Sequence, residues 1–500
     1  MTKLFTLLLL FLIVNSANSQ DLLKWAADAE GNAPYIFQDP NVPDKLIGFE
    51  IDIASALAFE LGLKERFVQN QWDGLIPGLY RGDYDIAMNG LEITDERKIA
   101  VNFSKPYLIT HLSIVVRFES DSLRNEFDLQ GMNVGALKNS QAENVLKDLD
   151  GVNTRTYEGE VNAFEDLQNG RIDAVLVDFP IALYYTSINP TLKIVGADVS
   201  EVRYGIAIRL DDKNLLHTIN SALDSMIKSG ELRRILESWN LWNQEMTEYT
   251  NDYSEYDLPA IRFDYFVAAM TKDSSLELLF VRYLSFIPMV ARAALMTVNI
   301  SVLSMIIAII LGLFIAITKV YGPKPFSILA SVFIEVIRGT PLLIQLFFIF
   351  YALPTIGIKL SPFLAAIIGL GLNYAAYEAE NYRAGLFSVQ KGQIEAALSL
   401  GMSRRNTLRH IVLPQAFRIV LPPVTNDFIS LLKDSSLVSV ITLVELTKLY
   451  NQLSSTYFDY IGTGIMIAAV YLLLGLPFVK LSRSIEHRMA NDVDKKKYMT

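Results

Sequence analysis

Long apolar runs crowd the stretch from roughly residue 285 to 480, and they limit the possible folds more than any other feature of this chain. Such a stretch is stable in a bilayer as helices of ~20 residues, because each backbone N–H and C=O in hydrocarbon needs a partner within its own segment. Five spanning segments are predicted, at about 289–318, 326–354, 361–386, 424–446 and 459–480. The preceding half has the composition of a soluble domain. A chain of 500 residues has room for both parts.

Loop charge predicts the orientation. Lys319 and Lys324 follow the first segment. Lys391, Arg404, Arg405, Arg409 and Arg418 crowd the third loop, and Lys480, Arg483, Arg488 and Lys495 to Lys497 follow the last. With five segments, a cytoplasmic C-terminus puts the soluble half outside. The first residues say the same by another route. Lys3, the apolar run Leu4 to Val14 and the small residues Ala17-Asn18-Ser19 read as a secretory signal over residues 1–19. Whether it is cleaved stays open.

Several classes of function are disfavoured. The net charge of −10 gives no support for nucleic-acid binding, which needs clustered cations. With no cysteine there is no disulfide frame and no thiolate metal site. The four histidines are not spaced for a metal, and no serine sits in a nucleophile elbow. No Gly-x-x-x-x-Gly-Lys-Ser/Thr phosphate loop occurs. The expectation is a chain that is not an enzyme, holds no cofactor or metal, and leaves ATP to a separate subunit.

From Asp21 to about Glu245, short β-type runs such as Asn133 to Leu137 and Ala174 to Val177 alternate with amphipathic helical patterns at Ile51 to Leu61 and Leu215 to Trp239. That alternation predicts an α/β domain with mainly parallel sheets, and its size suggests two lobes. Gly48-Phe49-Glu50-Ile51-Asp52 is followed by Trp72-Asp73-Gly74-Leu75-Ile76-Pro77-Gly78-Leu79. Then come Asp83-Tyr84-Asp85-Ile86-Ala87, Gly90-Leu91-Glu92-Ile93-Thr94-Asp95-Glu96-Arg97 and Phe103-Ser104-Lys105-Pro106-Tyr107. In this order they resemble the polar amino-acid binding proteins of bacterial importers, the family 3 solute-binding proteins.

The resemblance implies a two-lobed clamshell hinged by two crossing strands. One lobe holds the first ~85 residues plus the chain from about Tyr204, and the other is inserted at roughly Ile109 to Val202. It implies that Arg97 takes the ligand carboxylate, a task suited to a planar guanidinium fork. Asp178 takes the ammonium, Gly90 and Leu91 add backbone contacts, and Trp72 lines the side pocket. A surface arginine, a helix-capping aspartate and a core tryptophan are the plainer readings of the same residues. This sequence departs from the family at three places. Glu92 replaces a serine or threonine, Asn32 stands where a stacking aromatic is common, and the second-lobe anion loop reads Lys138-Asn139-Ser140-Gln141. Ser140 and Gln141 still offer donors at a helix start.

In the third loop, Glu395-Ala396-Ala397, then Gly401, then Ile411-Val412-Leu413-Pro414 resembles the signature of ABC importer permeases. There it implies a short helix that docks into the ATPase subunit, with Gly401 permitting a sharp turn and Pro414 ending the segment. Glu335-Val336-Ile337-Arg338-Gly339-Thr340-Pro341 resembles the amino-acid branch, and Glu335 and Arg338 share a helix face on which they can pair.

The expected organisation is a signal at 1–19, a binding domain at 20–245, a linker at 246–284, a five-helix permease at 285–484 and a cytoplasmic tail at 485–500. The expected partners are an amino acid, a cytoplasmic ABC ATPase, the lipid bilayer of the bacterial inner membrane and a second copy of the permease. The competing reading is a ligand-gated channel or sensor built on the same clamshell. A glutamate-receptor channel, however, places its helices inside the clamshell and carries a pore filter, and neither pattern occurs here.

Overall fold

The structure, a computed structural model, describes residues 22–30, 33–120, 123–254, 258–271 and 276–497. The expected signal and Asn32 lie outside the described residues. The chain divides into two compact units, residues 1–285 with Gln452–Phe458, and residues 286–451 with 459–500.

The first unit is a two-lobed α/β clamshell. One lobe is built on a five-stranded sheet in the order Lys64–Gln69, Leu22–Ala27, Ile86–Ala87, Ala207–Ile208, Asn102–Phe103. The other sheet runs Leu192–Val195, Leu108–Arg117, Ala174–Asp178, Asn133–Leu137, Asn153–Tyr157, with Glu201–Tyr204 also paired to Leu108–Arg117. Leu108–Arg117 is antiparallel to Ala174–Asp178, so the expected parallel order is interrupted at the strand that arrives from the other lobe. It comes directly, without the crossover helix that a parallel neighbour requires. The two crossings lie side by side, where Tyr107 N–H donates to Tyr204 O (3.0 Å) and Gly205 N–H to Leu91 O (3.1 Å).

Helical periodicity explains what packs on these sheets. In helix Phe49–Glu60 the buried Phe49, Ile53 and Leu57 recur every four residues. Helix Lys213–Lys228 starts where Asp212 accepts from Leu215 N–H, and it buries Ile219, Ala222, Leu223 and Met226.

The expected linker is not loose. Residues 244–250 and 261–270 form helices. Fully buried Met246 and the Asn243 amide, which donates to Ile109 O at 2.8 Å, dock the first of these. The second is anchored by Phe266, whose ring meets Phe37 at 5.4 Å and Tyr184 at 5.0 Å. Burying such a ring contributes ~2–3 kcal/mol, enough to convert a polar tether into a strap. The polar, acidic composition of 249–257 conceals this, because the anchor lies beyond it, where Phe263 also meets the Tyr184 ring at 5.1 Å and the Tyr265 hydroxyl donates to Asp39 (2.6 Å).

The second unit is all helical. Its long elements are Leu276–Tyr321, Lys324–Gly339, Pro362–Phe387, Leu413–Asp434 and Tyr460–Lys497. Among the described residues, Leu279–Tyr321 and Tyr460–Ser484 are long and apolar enough to cross a membrane. The pair Lys324–Gly339 and Leu342–Ile356, bent by 108°, adds a third if it counts as one span. The predicted continuous segment at 326–354 is therefore broken, at Gly339-Thr340-Pro341, where proline forces the preceding residue out of helical geometry. The predicted segment at 424–446 likewise begins earlier, at Leu413, and gives way to a 3-10 turn at Ser435–Ile441. Pro362–Phe387 and Leu413–Asp434 fall short of that apolarity because they carry Asn373, Glu378, Glu380 and Asp427 in their interior. Alanines and glycines on Pro362–Phe387, among them Ala365, Gly369, Gly371, Ala375 and Ala379, are buried and let its neighbours approach closely.

Candidate functional site

In the clamshell, a cleft is lined by Tyr35, Trp72, Asn89, Gly90 and Glu92 from one lobe and by Leu137, Ser140, Ala142, Glu160, Leu176, Val177, Asp178 and Ile181 from the other. Local capping aims the arginine. Thr94 accepts from Arg97 N–H (3.2 Å) and starts the helix Asp95–Ala100, which places Arg97 one turn inside. Its guanidinium lies over the Trp72 ring, 5.2 Å from the centroid. Nη1 donates to Glu92 O (3.2 Å) and forms an ion pair with the Glu92 carboxylate, and Nη2 donates to Asn139 O (2.8 Å).

Glu92, only 3% exposed, reaches both lobes. One oxygen takes Arg97, and the other accepts from Gln141 N–H at 3.0 Å. Gln141 opens the helix Gln141–Asp148, where free N–H groups favour an anion. Ser140 caps that helix by accepting from Glu143 N–H, and its hydroxyl donates to Leu137 O (2.7 Å). Its own hydroxyl proton is thus engaged within its lobe, while the Gln141 N–H faces Glu92.

Asp178 ends the strand Ala174–Asp178 and precedes the helix Phe179–Ile188, yet its side chain makes no capping bond. The carboxylate turns to two tyrosines instead. Tyr35 Oη lies 3.3 Å from Asp178 Oδ2 and 3.0 Å from Tyr204 Oη, and the Tyr204 hydroxyl also bonds Asp178. Burial, then the Glu92 and Glu160 charges, hold the Asp178 carboxyl well above the usual carboxylate range. Burial likewise pushes Glu160 up to about 7, with Asp28 and Glu92 adding to it.

Gly90 lines the cleft with φ +62°, and a Cβ there would meet the Tyr35 ring at 2.8 Å. Only glycine fits both demands. Its N–H donates to the fully buried Glu50 (2.7 Å), which also receives the Tyr107 hydroxyl and is pushed up to about 7 by burial. Leu91 is 2% exposed, and its side chain packs in the core with Leu75, Leu79 and Ala207. Its carbonyl is taken by Gly205 N–H, so it contributes less to the cleft wall than the motif suggests. Sequence reasoning missed Tyr35, Tyr204, Asn89 and Glu160. Tyr35 was within reach, since it follows Pro34 in the stretch already singled out; Glu160 resembles any acid opening a helix.

The fold also gathers what spacing did not. His111 Nε2 lies 2.9 Å from Asp198 Oδ1, and with Glu245 the three offer ligand atoms within 4.8 Å of one another.

In the helical unit, an open hollow is lined by Arg338, Thr340, Pro341, Asn373, Tyr374, Tyr377, Asp427 and Asp434, among others. Arg338 lies over the Tyr377 ring at 5.1 Å, and Tyr374 donates to Asp434 at 2.6 Å. Among the described residues no ion pair joins Glu335 to Arg338, although they share a helix face.

Glu395, Ala396 and Ala397 lie on helix Lys391–Ser399, and Gly401 turns the chain at φ +82°. Helix Arg404–Thr407, a π-turn at Leu408–Val412 and helix Leu413–Asp434 follow. Pro414 was expected to end the segment, but it stands in the first turn of a continuing helix. There its missing N–H costs little, because the wider π-turn before it has already shifted the hydrogen-bond register. Glu395, Leu400 and Leu413 are exposed and Ile411 half-buried; Ala397 is buried, and Gln415 donates to Gln393 (2.8 Å) to tie the two arms together.

Two family profiles cover most of the chain. That of the bacterial extracellular solute-binding proteins, family 3, matches residues 23–241. That of the binding-protein-dependent transport system inner membrane component matches residues 308–491. The L-cystine transport system permease protein TcyB of Bacillus subtilis (strain 168) is 39% identical over 212 residues, 42% of this chain and 91% of its own length. The glutamine transport system permease protein GlnP of Escherichia coli (strain K12) is 38% identical over 205 residues, 41% of this chain and 94% of its own. The chain belongs to the amino-acid ABC importers. It is the membrane subunit of such an importer with a solute-binding domain fused to its permease, and a protein of the inner membrane. On the binding side, the L-cystine-binding protein TcyJ of Escherichia coli (strain K12) is 34% identical over 209 residues, 41% of the importer subunit and 78% of its own length.

Proposed function

We propose that the fused clamshell stands on the extracytoplasmic side of the membrane and captures an α-amino acid by its two charged ends. Arg97 takes the carboxylate, with the Gln141 N–H as a donor from the opposite lobe. Asp178 takes the ammonium, and Trp72 bounds the side-chain pocket. The observation that carries this reading is that Asp178 lines the cleft from one lobe while Arg97, from the other, pairs with Glu92 and lies over Trp72, both of which line the same cleft. A ligand that bridges the lobes favours the closed form by its contacts to both. The cargoes named for the related permeases, cystine and glutamine, support the amino-acid class.

Release into the membrane unit follows, where the hollow beside Arg338, Asp427 and Asp434 is one half of a passage shared with a second copy of the subunit. ATP is hydrolysed by a separate cytoplasmic subunit, because the sequence holds no phosphate loop. That subunit docks on the exposed face around Glu395, Leu400 and Leu413 and pushes on the continuous helix that runs from Arg404 to Asp434.

Calorimetric titration of the full chain in lipid nanodiscs with a panel of amino acids tests the capture step. Saturable binding of one of them, abolished by Arg97→Ala in a protein that still unfolds cooperatively, is expected. Failure of the whole panel on folded protein overturns the assignment of Arg97 and Asp178.

A further inference from the structure

The cleft carries more acid than an ordinary amino acid can neutralise. Glu92, Glu160 and Asp178 line it, and Arg97 meets it through Glu92, with which it is already paired, and Trp72, over which it lies. Glu160 is 7% exposed, and among the described residues no ion pair joins its carboxylate to a cation. A position at the head of the helix Glu160–Gln168 would stabilise a solvated acid modestly. That does not account for a buried carboxylate facing a cleft, where an uncompensated charge is costly.

Glu92 shows how the surplus is used. Its two oxygens occupy one donor from each lobe, Arg97 Nη1 and Gln141 N–H. These are the donors that an amino acid's α-carboxylate requires, so the Glu92 side chain stands in for it. We infer that the substrate is an amino acid with a cationic side chain, whose α-carboxylate displaces Glu92 from Arg97 and whose side-chain cation is held by Glu160; this rests on the amino-acid reading of the same cleft. The displaced Glu92 then joins Asp178 around the α-ammonium. Ionised, the three carboxylates and one guanidinium leave the cleft at a formal −2. A neutral amino acid leaves that unchanged, an acidic one worsens it to −3, and a cationic one halves it to −1.

The test uses the full chain in nanodiscs and calorimetry with L-arginine, L-lysine, L-citrulline, L-glutamine and agmatine. Citrulline keeps the shape of arginine without its charge, and agmatine keeps the charge without the carboxylate. Arginine or lysine is expected to bind at least about 50-fold more tightly than citrulline or glutamine. Glu160→Gln is expected to erase that preference in protein whose thermal unfolding stays cooperative, which shows that the variant is folded. Citrulline or glutamine binding as tightly as both cations overturns the charge class and leaves amino-acid import standing. Agmatine matching arginine overturns the exchange of Glu92 for the ligand carboxylate. Binding of none of the amino acids, by protein that unfolds cooperatively, overturns the capture reading itself.

Discussion

The clamshell cleft and the hollow in the helical unit are built from the same parts. Each sets an arginine over an aromatic ring, Arg97 on Trp72 at 5.2 Å and Arg338 on Tyr377 at 5.1 Å. Each points a tyrosine hydroxyl at an aspartate, Tyr35 at Asp178 and Tyr374 at Asp434. They differ in burial. In the cleft, Glu92 and Glu160 are almost wholly enclosed, whereas Arg338 is exposed and Asp427 and Asp434 are half-buried. Since the same pair of charges attracts several times more strongly away from water, the cleft is suited to hold a solute and the hollow to let one go. On the proposed reading, recognition and passage use one chemistry at two levels of solvation.

Swapping the arginines tests that contrast most severely. Arg97→Ala is expected to weaken amino-acid binding at least about 100-fold, as loss of a charged fork at a buried site would. Arg338→Ala should leave binding by the full chain within about twofold and slow uptake into proteoliposomes supplied with the ATPase. Equal losses of binding in both variants would erase the distinction between holding and passing.

A second prediction concerns Glu50, which ties the cleft floor to the core. Glu50→Ala strands the Gly90 N–H and the Tyr107 hydroxyl in a dry interior and should cost about 2–4 kcal/mol of stability. Thermal unfolding that is unchanged in the variant would mean that the cleft floor is held by something else.

The third is a pH effect confined to the cleft. Glu160, facing Asp28, Glu92 and Asp178, is pushed up to about 7, so the empty cleft holds a proton there at pH 6 that a bound cation must expel. Affinity should be half developed near pH 7 and fall about 10-fold between pH 8 and pH 6 through Glu160 alone, with Asp178, whose carboxyl is also held high, adding to the loss, and with proton uptake on release of ligand. Calorimetry in buffers of differing ionisation heat reads this directly, and a flat profile would separate Glu160 from the ligand. The smallest effect is expected at Trp72, where Trp72→Phe keeps an aromatic face under Arg97 and should cost about two- to fivefold in affinity. A loss as large as that of Arg97→Ala would make the ring a principal contact.

Much of this architecture is legible in the sequence, for identifiable reasons. Apolar runs report the membrane half because hydrocarbon tolerates little else, and Arg97, Trp72 and Asp178 lie in motifs whose spacing survives without any structure. What escapes the sequence depends on contacts between distant residues. Hydropathy runs straight through Gly339 to Pro341 and misses a bend of 108°. Pro414 reads as a stop because the π-turn that accommodates it has no sequence signature. Glu160 looks like a solvated helix-start acid until the strand end at Asp178 and the Glu92 side chain are seen to share its cleft.

Glu92 has one more consequence, for signalling. Its carboxylate joins Arg97 of one lobe to the Gln141 N–H of the other. If the lobes can meet through Glu92 alone, closure by itself does not report cargo, and a membrane subunit that answered to closure would spend ATP on empty cycles. A loaded clamshell would then differ from an idle one in where the Glu92 side chain sits.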